Sequence, residues 1–194
     1  MNYKKILSEN FDERKKIECL KEIYNLNVEE IISLDILDTI YNLLTRTKEL
    51  DFEQIVYSNV VESKNKEIIK YCLKIITKVG REREDLVYLY IPYIIKLLDS
   101  EVEDIKRWAA EALSEIPSSL TIYSYPKLIK EDGEKFTEAL FKIIVRAKNK
   151  EAILLKIFEN FNISHVKLIK KLYNYDKELV KEFIPLLVKY KVKL

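Results

Sequence analysis

Few side chains in this 194-residue sequence are of the types that do covalent or metal chemistry. Histidine occurs once, as His165. A zinc site would need cysteines or carboxylates beside it at regular spacing, and none stands near. Following Ser164, His165 reads as a polar residue at a helix start. Cys19 and Cys72 lie far apart with no metal-like spacing, so they read as reduced, buried, small hydrophobes. The carboxylate pairs Glu29–Glu30 and Glu103–Asp104 have the composition of an acid/base couple. Both fall where helices begin, however, and acids there complement the helix macrodipole. The chain has no G-x-S-x-G element and no glycine-rich loop, which leaves no nucleophile, phosphate cradle or activating base to assign. The expectation is a non-enzyme without metal or cofactor.

What remains is recognition chemistry. Trp108, the only tryptophan, sits beside Asp104 and Arg107 on one helix. Bases and acids are interspersed and the net charge is +2, which argues against a strongly electrostatic nucleic-acid or membrane binder. An excess of lysine appears only near the end, from Lys167 to Lys193. The longest apolar run, Leu86 to Ile95, is half of the roughly 20 residues that a bilayer-spanning helix needs. MNYKKILSENFDERKK places charges where a signal peptide needs an apolar stretch, so a cytoplasmic protein is expected.

The elements that must position these groups are helices. Two glycines in the whole chain are too few for strands joined by tight turns. Ile94, Ile95, Leu97 and Leu98 form an apolar stripe ending at Asp99, and Ser100 with Glu103 spells a capping box for the next helix. That helix carries Ile105, Trp108, Ala109, Ala112, Leu113 and Ile116 at helical spacing until Pro117 stops it. The same frame recurs 37 positions earlier as Ile68, Tyr71, Cys72, Ile75, Ile76 and Val79, with Gly80 expected as a C-cap. A further 32 positions back lie Ile36, Ile40, Leu43 and Leu44, and 31 positions forward lie Phe136, Leu140, Ile143, Ile144 and Ala147. The preceding helices repeat too: Leu86–Pro92, Leu120–Pro126 and Leu179–Pro185 align, which predicts a shared proline bend in each. A recurrence every 31 to 37 residues signals stacked helical hairpins.

The stretch 86–116 resembles a HEAT repeat: Pro92 in a first helix, Asp99 in the turn, Lys106, then Ala109-Ala110-Glu111-Ala112-Leu113 in a second helix. The resemblance to the HEAT/armadillo-like helical repeat family implies an all-α fold, a right-handed α–α superhelix of about five to six hairpins. Residues 1–194 would then form a single helical-repeat domain. Flanking repeats keep the apolar frame but lose the polar marks; Ile69 and Thr137 stand where Lys106 stands. Helices are predicted over roughly 11–24, 28–48, 51–62, 65–79, 85–98, 101–116, 119–131, 134–148, 150–161, 164–174 and 177–190, with further capping boxes at Asn10/Glu13 and Asn27/Glu30. The tail KYKVKL reads as part of a terminal capping repeat.

In HEAT-like stacks the second helices line the concave side. The frame then predicts three polar rows there: Asp38, Lys70, Arg107 and Glu138; Asn42, Lys74, Glu111 and Lys142; Arg46, Lys78, Glu115 and Arg146. With the aromatics that border them, the candidate binding surface is Lys70, Tyr71, Lys74, Lys78, Arg107, Trp108, Glu111, Lys142 and Arg146. The function implied is a scaffold binding a protein partner along its concave face, with no membrane contact. The alternative is a nucleic-acid backbone held by the bases of these rows and the basic C-terminal end. HEAT-like enzymes such as the alkylpurine DNA glycosylases or bilin lyases form a third class; the glycosylases are similar in the residue types around Trp108 only. Far-ultraviolet circular dichroism should be dominated by helix, and a clear sheet contribution would overturn the fold expectation.

Overall fold

The computed structural model describes residues 2–9, 11–54 and 59–189. Among the described residues every regular element is helical and none is a strand, and no helix is long and apolar enough to cross a membrane. In order they are α1 (Tyr3–Ser8), α2 (Glu13–Asn25), α3 (Val28–Ser33), α4 (Leu37–Gln54), α5 (Asn59–Glu82), α6 (Glu84–Val87), α7 (Ile91–Lys96), α8 (Glu103–Glu115), α9 (Tyr125–Leu128), α10 (Glu134–Arg146), α11 (Lys150–Glu159), α12 (Val166–Tyr175) and α13 (Ile184–Lys189). The longer helices pack in sequence: α5 lies against α2 and α4, α8 against α5, α10 against α8, and α12 against α10. The short helix α7 packs on α8, and α9 packs on α10.

The core is the apolar frame expected from the sequence. Ile36, Ile40 and Leu44 on or beside α4, Cys72, Ile75 and Ile76 on α5, Ala109 and Leu113 on α8, and Phe136 and Ile144 on α10 are all buried. Leu168, Ile169 and Leu172 on α12 continue the series. Trp108 and Tyr71, at equivalent frame positions, are both half-buried at its edge.

The proline pattern is real, but its consequence differs from a simple bend. Each of Pro92, Pro126 and Pro185 is the second residue of a short α-helix, and each such helix follows a 3-10 segment: Tyr88–Tyr90, Ser119–Ser124 and Glu178–Phe183. In each case the residue before the proline donates its N–H three positions back, Ile91 to Tyr88, Tyr125 to Ile122 and Ile184 to Lys181. Proline has no N–H for the four-residue bond, so the turn ahead of it tightens and the α-helix restarts with proline where a donor is not needed. The three-residue turn sets burial as well: Val87 with Tyr90, Thr121 with Ser124 and Val180 with Phe183 point inward.

Several local expectations are corrected. Gly80 is not a C-cap; it lies inside α5, and a Cβ there would sit 2.7 Å from Val87 Cγ2 and 2.9 Å from Ile116 Cγ1. Its role is close approach of neighbouring elements. The expected helix 28–48 is two helices, because Asp35 adopts φ +48° between α3 and α4, a conformation that Asp tolerates better than most residues. Of the helix expected at 51–62, residues 51–54 belong to α4 and 59–62 open α5, which runs unbroken to Glu82 through the helix expected at 65–79. Ser100 and Glu103 do not form a capping box. Val102 is the N-cap of α8, the Ser100 hydroxyl accepts from the Val102 N–H (3.2 Å), and Glu103 pairs with Lys106 and Arg107 instead. The box at Asn27/Glu30 is formed, with both bonds at 2.8 Å. Asn10 and the tail from 190 onward lie outside the described residues; α2 is capped by Asp12.

This packing yields a stability contrast. Ala109→Leu should destabilise by about 1–3 kcal/mol through overpacking of a fully buried position. Gly80→Ala should also destabilise despite the better helix propensity of alanine, because the added Cβ meets branched core side chains. Glu111→Ala, at an exposed position, should change stability by no more than about 0.5 kcal/mol. Denaturant unfolding of the three variants checks this, and silent Ala109→Leu and Gly80→Ala variants would refute the packing.

Candidate binding cleft

Helix α5 carries Lys70, Lys74 and Lys78 at four-residue spacing, which places them on one face. Trp108 and Glu111 on α8 and Tyr24 at the end of α2 face them across a cleft of about 320 Å³, with the buried Leu73 and Ala112 at its base. The lysines are held by aromatic rings. Lys70 Nζ lies 5.7 Å from the Trp108 ring centroid. Lys74 Nζ lies 5.2 Å from Tyr24 and 5.5 Å from Tyr71, and the two tyrosines meet edge to face at 6.1 Å. Such contacts are worth about 0.5–1 kcal/mol each at exposed sites.

Lys78 has a different task. Its ammonium donates to the carbonyl oxygens of Tyr24 (2.9 Å) and Leu26 (2.6 Å), which end α2. A cation there satisfies carbonyls left without helical partners and opposes the negative end of the helix dipole. Among the described residues Lys70 and Lys74 have no carboxylate in ion-pair reach.

Elsewhere the charged rows close on themselves. Lys142 on α10 pairs with Glu115 on α8, which also binds Arg81 of α5 at 3.0 Å. Lys135 lies 3.7 Å from Glu111, and Lys171 on α12 pairs with Glu138 on α10. Arg107 turns back to Glu103 on its own helix at 3.2 Å. Arg146 donates to the Leu113 carbonyl oxygen at 3.1 Å. Asp99 pairs with Lys127 rather than with Lys106, whose ammonium reaches Glu131 at 2.7 Å.

Of the nine residues singled out from the sequence, Lys70, Lys74, Lys78, Trp108 and Glu111 line the cleft, and Tyr71 borders it through Tyr24 and Lys74. Arg107, Lys142 and Arg146 lie outside it and are engaged as described. The rows also begin one helix later than expected. Asn42 and Arg46 on α4 line a separate hollow with Leu7 and Asn65, and Asp38 accepts a 2.7 Å hydrogen bond from Tyr90 Oη. On the face of Lys74 and Lys78 the neighbour is α2, so Tyr24 joins the site although no repeat alignment pointed to it. Arg81, one turn beyond Lys78, also lines the cleft.

His165 and the two cysteines each have a defined place in the fold. His165 is buried; its Nδ1 accepts from the Asn162 N–H (3.1 Å), so the proton is on Nε2, which donates to the Ile129 carbonyl oxygen (2.9 Å). It thus caps a helix start, as expected, and ties it to the end of α9. Both thiols are buried and free, and burial pushes Cys19 up to about 12. Among the described residues no cluster of metal-ligating side chains is present.

Fold and cleft together define an all-helical protein with a basic, aromatic-lined groove between two of its central helices. No family model matches the sequence. In structure the chain is similar to the crystal structure of an engineered protein, with a TM-score of 0.58 and 13% identity over 93% of this chain and 75% of that one; this likeness concerns the fold alone. In sequence it is 57% identical over 189 residues to the uncharacterized protein MJ0078 of Methanocaldococcus jannaschii, covering 96% of this chain and 91% of that protein, and it belongs to the same family.

The ion pairs flanking the cleft carry a pH signature. The hydrogen bond from Lys142, with the charges of Lys142 and Arg81, holds the Glu115 carboxyl below its ordinary value against the opposing effect of partial burial. A depressed carboxyl contributes stability above its unfolded-state pKa and loses it as pH falls through the folded-state value. Glu115→Gln should therefore lower the melting temperature near neutral pH and flatten its decline on the acid side. Thermal unfolding followed from neutrality to about pH 3 tests this; parallel profiles for the two proteins would refute it.

Proposed function

We propose that this protein is a non-enzymatic helical-repeat scaffold, folded as a right-handed α–α superhelix of the HEAT/armadillo kind, that holds a protein partner on its concave face at the cleft between α5 and α8. Supporting the repeat are the apolar frame shared by α4, α5, α8 and α10, and the three equivalent 3-10-to-α switches at proline. Stacked repeats of this type build extended binding surfaces. The two free, buried thiols suit a reducing compartment such as the cytoplasm.

The observation that carries the binding function is the selective freedom of Lys70 and Lys74. The other bases of the rows on α5, α8 and α10 are engaged: Arg107 and Lys142 in ion pairs, Lys78 and Arg146 on carbonyl oxygens. A nucleic-acid backbone is favoured by many phosphate contacts along a continuous basic strip. Two lysines beside tryptophan and tyrosine form a compact patch, better matched to one contact region of a protein.

Affinity capture from an extract of the source organism tests this. The expected result is a protein retained by the wild type, lost with the double variant Lys70→Glu/Lys74→Glu, and kept by Lys148→Glu, an exposed charge elsewhere. Retention that ignores the cleft variant refutes the proposal. Capture of nuclease-sensitive material, released steeply by salt, replaces it with nucleic-acid binding.

A further inference from the structure

We infer that the cleft recognises an acidic peptide segment, with carboxylates received by Lys70 and Lys74 and an apolar side chain seated between them against Leu73, Ala112 and Trp108. The inference rests on the reading of the cleft as the partner site, and goes beyond it by assigning the chemistry of what is bound.

Charge is the first ground. Lys70 and Lys74 stand one helical turn apart on α5, so their side chains leave the helix about 5–6 Å from each other. Neither has an acid partner among the described residues, whereas α8, α10 and α12 are stitched together by opposite charges. The side of α5 that faces the end of α2 meets carbonyl oxygens and tyrosines there, and Lys78 occupies those carbonyls. The positive charge left over is therefore local.

Preorganisation is the second ground. A free lysine loses up to about 2 kcal/mol of rotamer freedom when it is fixed. Trp108 under Lys70, and Tyr24 with Tyr71 under Lys74, already hold both ammoniums beside the opening. An incoming carboxylate meets cations whose positions are restricted before binding, which lowers the entropic cost of the contact.

The third ground is the asymmetry of the walls. Bases line the α5 side, but the opposite rim carries Glu111, only loosely paired with Lys135 at 3.7 Å. A phosphodiester chain, negative along its whole length, would run its charge past Glu111. A peptide can turn its carboxylates toward α5 while its apolar side chains fill the base of the cleft.

Trp108 is the only tryptophan, so its emission reports directly on the occupied cleft. The probe is a short, blocked, tryptophan-free peptide of glutamate and leucine, labelled for anisotropy and titrated at low salt against the full chain. Controls are its glutamine-for-glutamate counterpart and a single-stranded oligothymidylate of similar charge. The glutamate peptide should bind and shift the Trp108 emission, and the glutamine peptide should not. Lys70→Gln/Lys74→Gln, both away from the buried core, should weaken binding roughly tenfold with the helical dichroism unchanged, and Lys148→Gln should leave it as in the wild type. Equal binding of the two peptides, absence of binding to either, or preference for the oligothymidylate overturns the inference. If captured protein still depends on Lys70 and Lys74 while the glutamate peptide fails, the acidic-segment inference alone falls; if capture itself ignores these lysines, the partner site falls with it.

Discussion

Helix α8 is packed on α5 on one side and α10 on the other, with α7 also against it, and the rest of the structure follows from what that burial requires. A helix enclosed in this way needs small residues where its neighbours come nearest, and Ala109, Ala110 and Ala112 supply them. Gly80 on α5 plays the same part toward Val87 and Ile116. Interiors pack at near-crystalline density, so a methyl group at such a point is felt as strain. The close approach of α5 and α8 also sets the width of the cleft between their outer edges.

The exposed edges of these helices then come within reach of one another, and their charges sort themselves by neighbour. Between α8, α10 and α12 the facing side chains include both signs, and they close into pairs such as Glu115 with Lys142 and Glu138 with Lys171. Between α5 and α2, Lys21 pairs with Glu67, and toward the end of α2 the facing groups are carbonyl oxygens and tyrosine rings. One lysine, Lys78, binds the carbonyls, and the remaining two rest on aromatic faces. The cleft between α5 and α8 is thus bordered by two lysines that the pairing of opposite charges leaves out, while Arg81 beside them joins α5 to Glu115 of α8.

Much of the fold was legible because helix burial has a local signature. The i, i+3, i+4 spacing of Ile105, Ala109, Ala112 and Leu113 specifies an apolar face whatever the neighbour is, and its recurrence in α5 and α10 marked the buried faces of those helices. The alignment of Pro92, Pro126 and Pro185 was equally readable, since a missing N–H acts on its own turn. Less legible were features with two local meanings. A glycine near the end of an apolar pattern reads as a C-cap, yet Gly80 answers to side chains on other elements. Ser100 and Glu103 match a capping box, yet Glu103 is drawn to Lys106 and Arg107 while Val102 takes the cap position.

The sequence by itself determined the all-helical class, the apolar frame and the buried cysteines, because each depends on residue type and short-range spacing. Which polar groups are free was decided only by tertiary structure. Lys70, Lys74, Lys78, Lys142 and Arg146 read alike in the sequence as bases beside an apolar frame, but a cation is engaged or available according to what stands within about 4 Å of it. That neighbour comes from another helix, some 27 to 54 residues away for Lys142, Arg146 and Lys78. Tyr24 entered the site for the same reason: α2 lies beside α5 in space although it follows no repeat frame in sequence.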